Sequence, residues 1–331
     1  MKMPTPKLLV SAIALSTLVG VAEAATLKLS HVRPQDTAID KAATALAEDV
    51  AAATDGELNV RLFPASALGD YTVVQERVGL GAIDMAVQPP ASGADPRFQL
   101  AYLPYLVQNW SDAKQMFSDG AVMRDEVESL YAEQNIHVLA GWPVYFGGIA
   151  LNSEVENAAD PTVDKGAKLR VPPMKSFQLL ADNTGYIGSP LPFSDAFTAI
   201  QTGVVDGIMG SGAEGYYASF RDVTNYYLPL NTHFEMWYLL INNDIYEELE
   251  SDQQAALDTA AESFEAARWE AAQADQARNE GLLEESGATI LPVSEEQIAA
   301  HAEIAREQVW PEIIEDIGAD WASDVLERAT P

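Results

Sequence analysis

The stretch from Lys168 to Gly212, KLRVPPMKSFQLLADNTGYIGSPLPFSDAFTAIQTGVVDGIMGSG, carries the side chain with the clearest chemical use. Arg170 lies at the end of a short strand, Lys168 to Val171, which Pro172-Pro173 terminates, because proline removes a backbone donor and restricts the residue before it. A guanidinium offers a rigid fork of donors that matches a carboxylate in bidentate fashion. In open α/β sheets, ligands bind beyond the carboxyl ends of the strands, where this arginine stands. The other role for such a residue is a structural ion pair with a neighbouring Asp or Glu.

Several further side chains suit a binding cleft better than a reaction centre. Gly210 and Gly212 allow the backbone to approach a ligand closely, and Ser211 adds a hydroxyl. Trp142, Tyr145, Phe193 and Trp237 are candidate walls, since aromatic rings supply apolar area with an occasional polar handle; each must be weighed against a plain core role. Glu214 and Glu235 suit either an ammonium group on a ligand or a structural bond. His31 ends the first strand, a usual cleft position. Arg33 and Arg97 are candidates for a second cation.

Catalytic arrangements are thin. The four histidines are scattered, and the chain holds no H-E-x-x-H, G-x-S-x-G or G-x-x-x-x-G-K-[ST] run. Asp195 and Asp206 invite comparison with a hydrolytic carboxylate pair. Asp195, however, falls in the first turn of a helix, where it complements the dipole. With no cysteine, disulfides and thiol catalysis are excluded. No enzyme, cofactor or metal site is expected.

Composition narrows the partners. Fifty Asp and Glu against 19 Lys and Arg give a formal charge of −31, which argues against nucleic acid and anionic membrane surfaces. An acidic chain that binds an acid must gather its few arginines at the site, which makes Arg170 more informative. Lys2 and Lys7, the apolar run from Leu8 to Val21 and Ala22-Glu23-Ala24 read as a secretory signal peptide over residues 1–24. Cleavage near Ala24/Ala25 would leave the protein in the periplasm, with no direct membrane insertion. About 300 remaining residues exceed one comfortable core, so two lobes are expected.

The elements that must position these residues follow a regular order. Strands are expected at Ala25 to Ser30, Leu58 to Leu62 and Gly81 to Val87, with helices between them, the first capped by Asp36. That βαβαβ order predicts a parallel sheet. Trp110 to Tyr131 reads as one helix, His137 to Ala140 as a buried strand, and Gly141 to Asn152 as a crossing to the second lobe. Within the opening stretch, Met174 to Asn183 reads as a helix, Ser194 caps a second one, and Val204 to Met209 is a strand. Ser251 begins a capping box, from which an alanine-rich helix runs toward Gly287, roughly 50 Å if unbroken. It is long enough to lie across both lobes; a coiled-coil partner helix is the competing reading. The fold class is therefore α/β and two-lobed. Residues 25–150 plus about 237–275 form the first lobe, and 151–236 plus about 276–331 form the second.

Lys168, Arg170, Pro172, Pro190, Pro192, Phe193, Ala199, Gln201, Gly203, Asp206 and Gly207 fall in order on one pattern. It resembles the signature of the extracytoplasmic solute receptors of tripartite ATP-independent periplasmic (TRAP) transporters. The runs FPASALGD, VGLGAIDMAV and Leu103-Pro104-Tyr105 are similar to other segments of that family. The resemblance implies a periplasmic binding protein with a long helix spanning both lobes, closing around a small organic anion. It implies Arg170 as the carboxylate anchor, Phe193 and Trp237 as cleft residues, and a cleft-facing loop from Gln88 to Ser92. It also implies small and large membrane subunits as partners and transport driven by a sodium gradient. Two departures stand out. Ile208-Met209-Gly210-Ser211 replaces the Q-E-N-P found in many members, and Tyr145-Phe146-Gly147-Gly148 stands where many carry a second arginine. The first removes a direct polar contact for which Ser211 or nearby backbone N–H groups would substitute, and the second favours a monocarboxylate over a dicarboxylate. The alternatives are the binding protein of an ATP-driven transporter or a chemoreceptor ligand module for organic acids.

Overall fold

A computed structural model describes Met1 and residues 24–329. The expected leader, apart from Met1 and Ala24, lies outside the described residues. Eleven strands form two sheets among the described residues: β1 (Ala25–His31), β2 (Leu58–Phe63), β3 (Met85–Gln88), β4 (Ile136–Phe146), β5 (Gly148–Leu151), β6 (Lys168–Val171), β7 (Ile187–Pro190), β8 (Gly207–Ser211), β9 (Tyr226–Leu228), β10 (Phe234–Asn242) and β11 (Thr289–Ile290). The first sheet has the order β2-β1-β3-β10-β4 and the second β11-β9-β5-β8-β6-β7. Expected parallel pairing is found for β1 with β2 and β3, while β10 runs antiparallel between β3 and β4. In the second sheet β6 lies between β7 and β8, parallel to both.

Local patterns explain these elements. Leu27 and Leu29 alternate on β1 and are buried, whereas β10, central in its sheet, is buried along its whole length. Helix Ala38–Ala53 buries Ile39, Ala43, Leu46 and Val50, the spacing of one helical face. Its cap is Thr37, not Asp36, whose φ of 65° takes it out of the cap geometry. The expected helix from Trp110 to Tyr131 is two, Trp110–Phe117 and Val122–Ala132, broken around Gly120 in the left-handed region. Pro192 precedes helix Phe193–Gln201, so Ser194 lies inside its first turn rather than capping it. Strand β8 starts at Gly207, three residues later than expected, after the turn through Gly203.

The chain changes sheet at one residue. β4 ends at Phe146 and β5 begins at Gly148, a few positions before the expected division at 150. Gly147 donates its N–H to the carbonyl of His233, and Thr232 N–H donates to the carbonyl of Gly147, both at 2.9 Å. The outgoing and returning chains are thus bonded to each other where they cross. A Cβ at Gly147 would overlap the His233 ring, so only glycine permits this approach.

The long helix runs unbroken from Ser251 to Glu285, 35 residues, about 52 Å at the standard rise. Glu250, one residue before the expected Ser251, is its cap and forms the capping box with Gln253. The helix lies along β4, an edge strand whose outer backbone groups have no partner strand. Its side chains supply the partners. Glu265 accepts from Gly141 N–H, Gln276 accepts from Phe146 N–H, and Arg268 donates to the carbonyls of Pro143 and Val144. This need explains why Arg268, Asp275 and Asn279 are buried on a face that the alanine pattern alone would make apolar. The C-terminal helices touch both halves: Arg328 pairs with Glu126, Trp310 bonds to the Pro104 carbonyl, and Lys175 pairs with Asp316.

Replacing Arg268 by alanine is expected to cost about 3 kcal/mol of stability, because it strands a buried Asp275 and two edge carbonyls. Arg278→Ala, which removes a 61 % exposed partner of the same Asp275, should cost less than about 1 kcal/mol. Denaturant unfolding of both variants checks the ranking; equal losses would refute it.

Candidate functional site

The carboxyl ends of the parallel strands from the two sheets face each other across a narrow cavity of about 30 Å³. Residues following β1, β2 and β3 supply Arg33, Tyr71 and Pro89. Residues at or after β6, β7 and β8 supply Arg170, Phe193 and Ser211. The lobes also meet through polar contacts: Asp70 caps helix Tyr71–Gly79 with one carboxylate oxygen and accepts from Ser194 N–H with the other. Gln99 accepts from Ser176 N–H, and the Ser92 hydroxyl donates to the Pro173 carbonyl.

Arg170 is 1 % exposed. Its Nε donates to the Leu191 carbonyl at 2.9 Å, and its Nη2 is buried with no hydrogen-bond partner. No carboxylate among the described residues lies at ion-pair distance from it. Burial therefore pushes this guanidinium below the usual arginine range, and the nearby Tyr71 and Asp70 offset that only in part. The Tyr71 hydroxyl beside it is driven up by burial and pulled back by Arg170.

Arg33 is equally buried but differs in its charge balance. Its Nε donates to both carboxylate oxygens of Glu214, at 3.2 and 2.9 Å, and its Nη2 stands 2.9 Å from Oε2 without hydrogen-bond alignment. Burial alone would lower this group, yet the Glu214 carboxylate raises it above the ordinary range. Its guanidinium also lies over Trp237 at 4.7 Å and Phe193 at 5.0 Å. The pair joins the loop after β1 to the turn after β8, so it spans the cleft. Gly215 makes room for it, since a Cβ there would press on Arg33 Nη2 and the Ser211 hydroxyl.

A second polar group lies on β10. Glu235 Oε1 accepts from Trp237 Nε1, Oε2 is 3.0 Å from His233 Nε2, and His233 Nδ1 is 3.0 Å from the Thr232 hydroxyl. The Tyr145 and Ser211 hydroxyls are 3.2 Å apart, and the Tyr102 hydroxyl donates to the Met236 carbonyl. Phe177, Met174 and Phe193 complete an aromatic and aliphatic wall.

Of the residues singled out by sequence, the structure gathers Arg170, Phe193, Trp237, Tyr145, Gly210 and Ser211 around this cavity. Five others are placed elsewhere. Gln88 is turned from the cavity to donate to the Tyr71 carbonyl, and the His31 ring is buried against Asp40. Trp142 stands opposite Trp237 but on the edge strand, between Phe264 and Arg268 under the long helix. Glu214 is spent on Arg33 and borders a separate outer groove. Arg97 pairs with Asp95 and Glu133, away from the cleft. Tyr71, Tyr102, Met174 and Phe177 went unnoticed in the sequence. Only Tyr71 carried a signal: it opens the helix after β2, again at a strand's carboxyl end.

The family model described as bacterial extracellular solute-binding protein, family 7 (DctP), matches residues 29–316. A solute-binding protein of Roseobacter denitrificans is 28 % identical over 310 residues, 92 % of each chain. Among solved structures, the sugar acid binding protein DctPAm of Advenella mimigardefordensis, in complex with galactonate, superimposes with a TM-score of 0.84 at 22 % identity. That match covers 93 % of this chain and 98 % of the other. The Bordetella pertussis extracytoplasmic solute receptor DctP7, which binds pyroglutamic acid, gives 0.82 at 20 % identity, covering 92 % and 99 %.

Burial lowers the pKa of His31, His137 and His301 below the ordinary 6.5. The unfolded chain therefore takes up protons near 6.5 that the folded chain refuses. The stability is complete above that pH and is lost as pH falls below it, by at most about 1.4 kcal/mol per pH unit for each histidine. The melting temperature should fall from pH 7 to pH 5, and His31→Asn should flatten the fall. An unchanged slope in that variant would remove His31 from the account.

Proposed function

The chain belongs to the bacterial extracellular solute-binding proteins, family 7, the extracytoplasmic receptors of TRAP transporters, and from that premise we propose that it captures a small organic acid through a single carboxylate seated on Arg170. The family consists of substrate-binding receptors rather than enzymes and works outside the cytoplasm. Relatives of the same fold bind acids as different as galactonate and pyroglutamate, so the family sets the handle rather than the molecule. In this reading the loaded receptor delivers its acid to a small and a large membrane subunit, where the ion gradient is coupled.

The observation that carries the proposal is the contrast between the two buried arginines. A buried cation without a counter-ion is costly, and a ligand carboxylate removes that cost. Arg33 has Glu214; Arg170 has no carboxylate, only the Leu191 carbonyl and the Tyr71 hydroxyl beside it, and its Nη2 is unpartnered. One unmet cation supports one carboxylate rather than two. The anchor is stiff because Leu191 O holds Nε while Phe193 lies 5.8 Å beneath the guanidinium. Hydrogen bonds from a charged donor to a carboxylate contribute about 1.5–3 kcal/mol each, and more where water is excluded.

Hinge closure follows from the same arrangement. The lobes turn about the crossing at Gly147 and His233, and closure brings Tyr71 and Arg33 against Arg170 and Ser211, excluding water around the acid. Tyr145 and Ser211, in the two runs that depart from the family pattern, bring one pair of hydroxyls to the far wall, which stays only mildly polar.

Arg170→Met is the decisive variant. The ligand-free protein should melt at or above the wild-type temperature, because an unpaired buried charge is gone. Thermal stabilisation by organic acids, screened on the processed protein, should disappear, with affinity reduced by about a hundredfold or more. Retained stabilisation by the same acid would reject Arg170 as the anchor.

A further inference from the structure

We infer that the acid held by this site is a zwitterion, with its carboxylate on Arg170 and a cationic nitrogen at Glu235. The inference rests on the capture of a carboxylate at Arg170 proposed above, and it names the class of acid. Four charged side chains are involved. Arg33 and Glu214 meet each other, which leaves Arg170 without a carboxylate and Glu235 without an arginine or lysine, its one ion-pair contact being the His233 ring at 3.0 Å. Glu235 lines the cavity while being 5 % exposed, and its bonds run to the Trp237 indole and the His233 ring. A carboxylate offers about four acceptor positions, of which these two bonds occupy two. What remains belongs to a residue that lines the cavity, and it accepts only from donors.

The other lining groups sharpen the choice. The Tyr102 hydroxyl is committed to the Met236 carbonyl, the Trp237 N–H to Glu235, and Phe177 and Phe193 have no polar atom. A polyhydroxylated acid would bring several hydroxyls to a wall with few free partners, and each one left unmet weakens binding. A simple anion would neutralise Arg170 and leave the Glu235 charge facing it. A zwitterion meets both charges and leaves the net charge of the closed cleft unchanged.

Isosteric pairs test this directly by calorimetry and thermal shift on the full processed protein. L-proline is set against tetrahydrofuran-2-carboxylate, pipecolate against tetrahydropyran-2-carboxylate, and L-alanine against L-lactate, with acetate, malate and gluconate as nitrogen-free acids. Within the pairs that bind, the nitrogen member should bind at least about tenfold tighter. Glu235→Gln should erase most of that margin while leaving the oxygen members within about threefold of wild type. Should the variant fail to fold, the wild-type pairs decide alone. Oxygen members binding as well or better, or nitrogen-free acids binding where no zwitterion does, would overturn the inference. If no acid of any kind shifts the melting temperature, the capture reading fails first and takes this one with it.

Discussion

Two arginines buried in one cleft impose the central constraint on this protein. Bringing a guanidinium out of water is expensive unless an anion or a full set of acceptors meets it. The fold resolves the problem for Arg33 with Glu214, reached across the cleft from the turn after β8. It leaves Arg170 with one carbonyl, the Tyr71 hydroxyl and an idle Nη2, but no carboxylate. The first arrangement ties the lobes to each other, and the second leaves a place for something from outside. Residues of the same type, equally buried, thus take opposite parts because of what stands within 3 Å of them.

Holding such a cleft requires that the rest of the backbone be satisfied without it. The sheet edge at β4 would otherwise present bare amides and carbonyls close to the site, and the long helix covers it with Glu265, Arg268 and Gln276. At the crossing, Gly147 lets the outgoing and returning chains share two hydrogen bonds, so the lobes are joined by paired segments rather than by a loose linker. Asp70 links local and global order. The carboxylate that caps the helix carrying Tyr71 also receives Ser194 from the opposite lobe. The contact between the lobes therefore involves the same residue that orients the anchor's neighbour Tyr71.

Much of this was legible in the sequence because it depends on local pattern. The alternation of strand and helix from Lys168 to Gly212 put Arg170 at a strand's carboxyl end, and the parallel βαβαβ start was equally plain. Side-chain direction was not legible. His31 and Gln88 stand at the expected edge, yet Asp40 and the Tyr71 carbonyl turn them away. Trp142 and Trp237 face each other across neighbouring strands, but only Trp237 borders the cavity. Helix starts shifted by a residue, from Ser251 to Glu250 and from Asp36 to Thr37, because a cap is decided by where the backbone leaves helical angles. Glu235 was hardest to place, since a strand buried on both faces has no alternation to show which way a residue points.

The charge of the whole chain conflicts with the capture of an acid only when distance is ignored. A formal charge of −31 would repel an approaching acid at long range, but at physiological ionic strength exposed charges are screened beyond about 8 Å. Inside the cleft, water and salt are largely excluded, so the unmet Arg170 acts through a low dielectric at contact distance, where attraction is many times stronger than in solvent. Surface charge and site charge therefore work in separate regimes. The acidic surface keeps the receptor soluble and away from anionic surfaces, while recognition is settled by the few charges that the fold has removed from water.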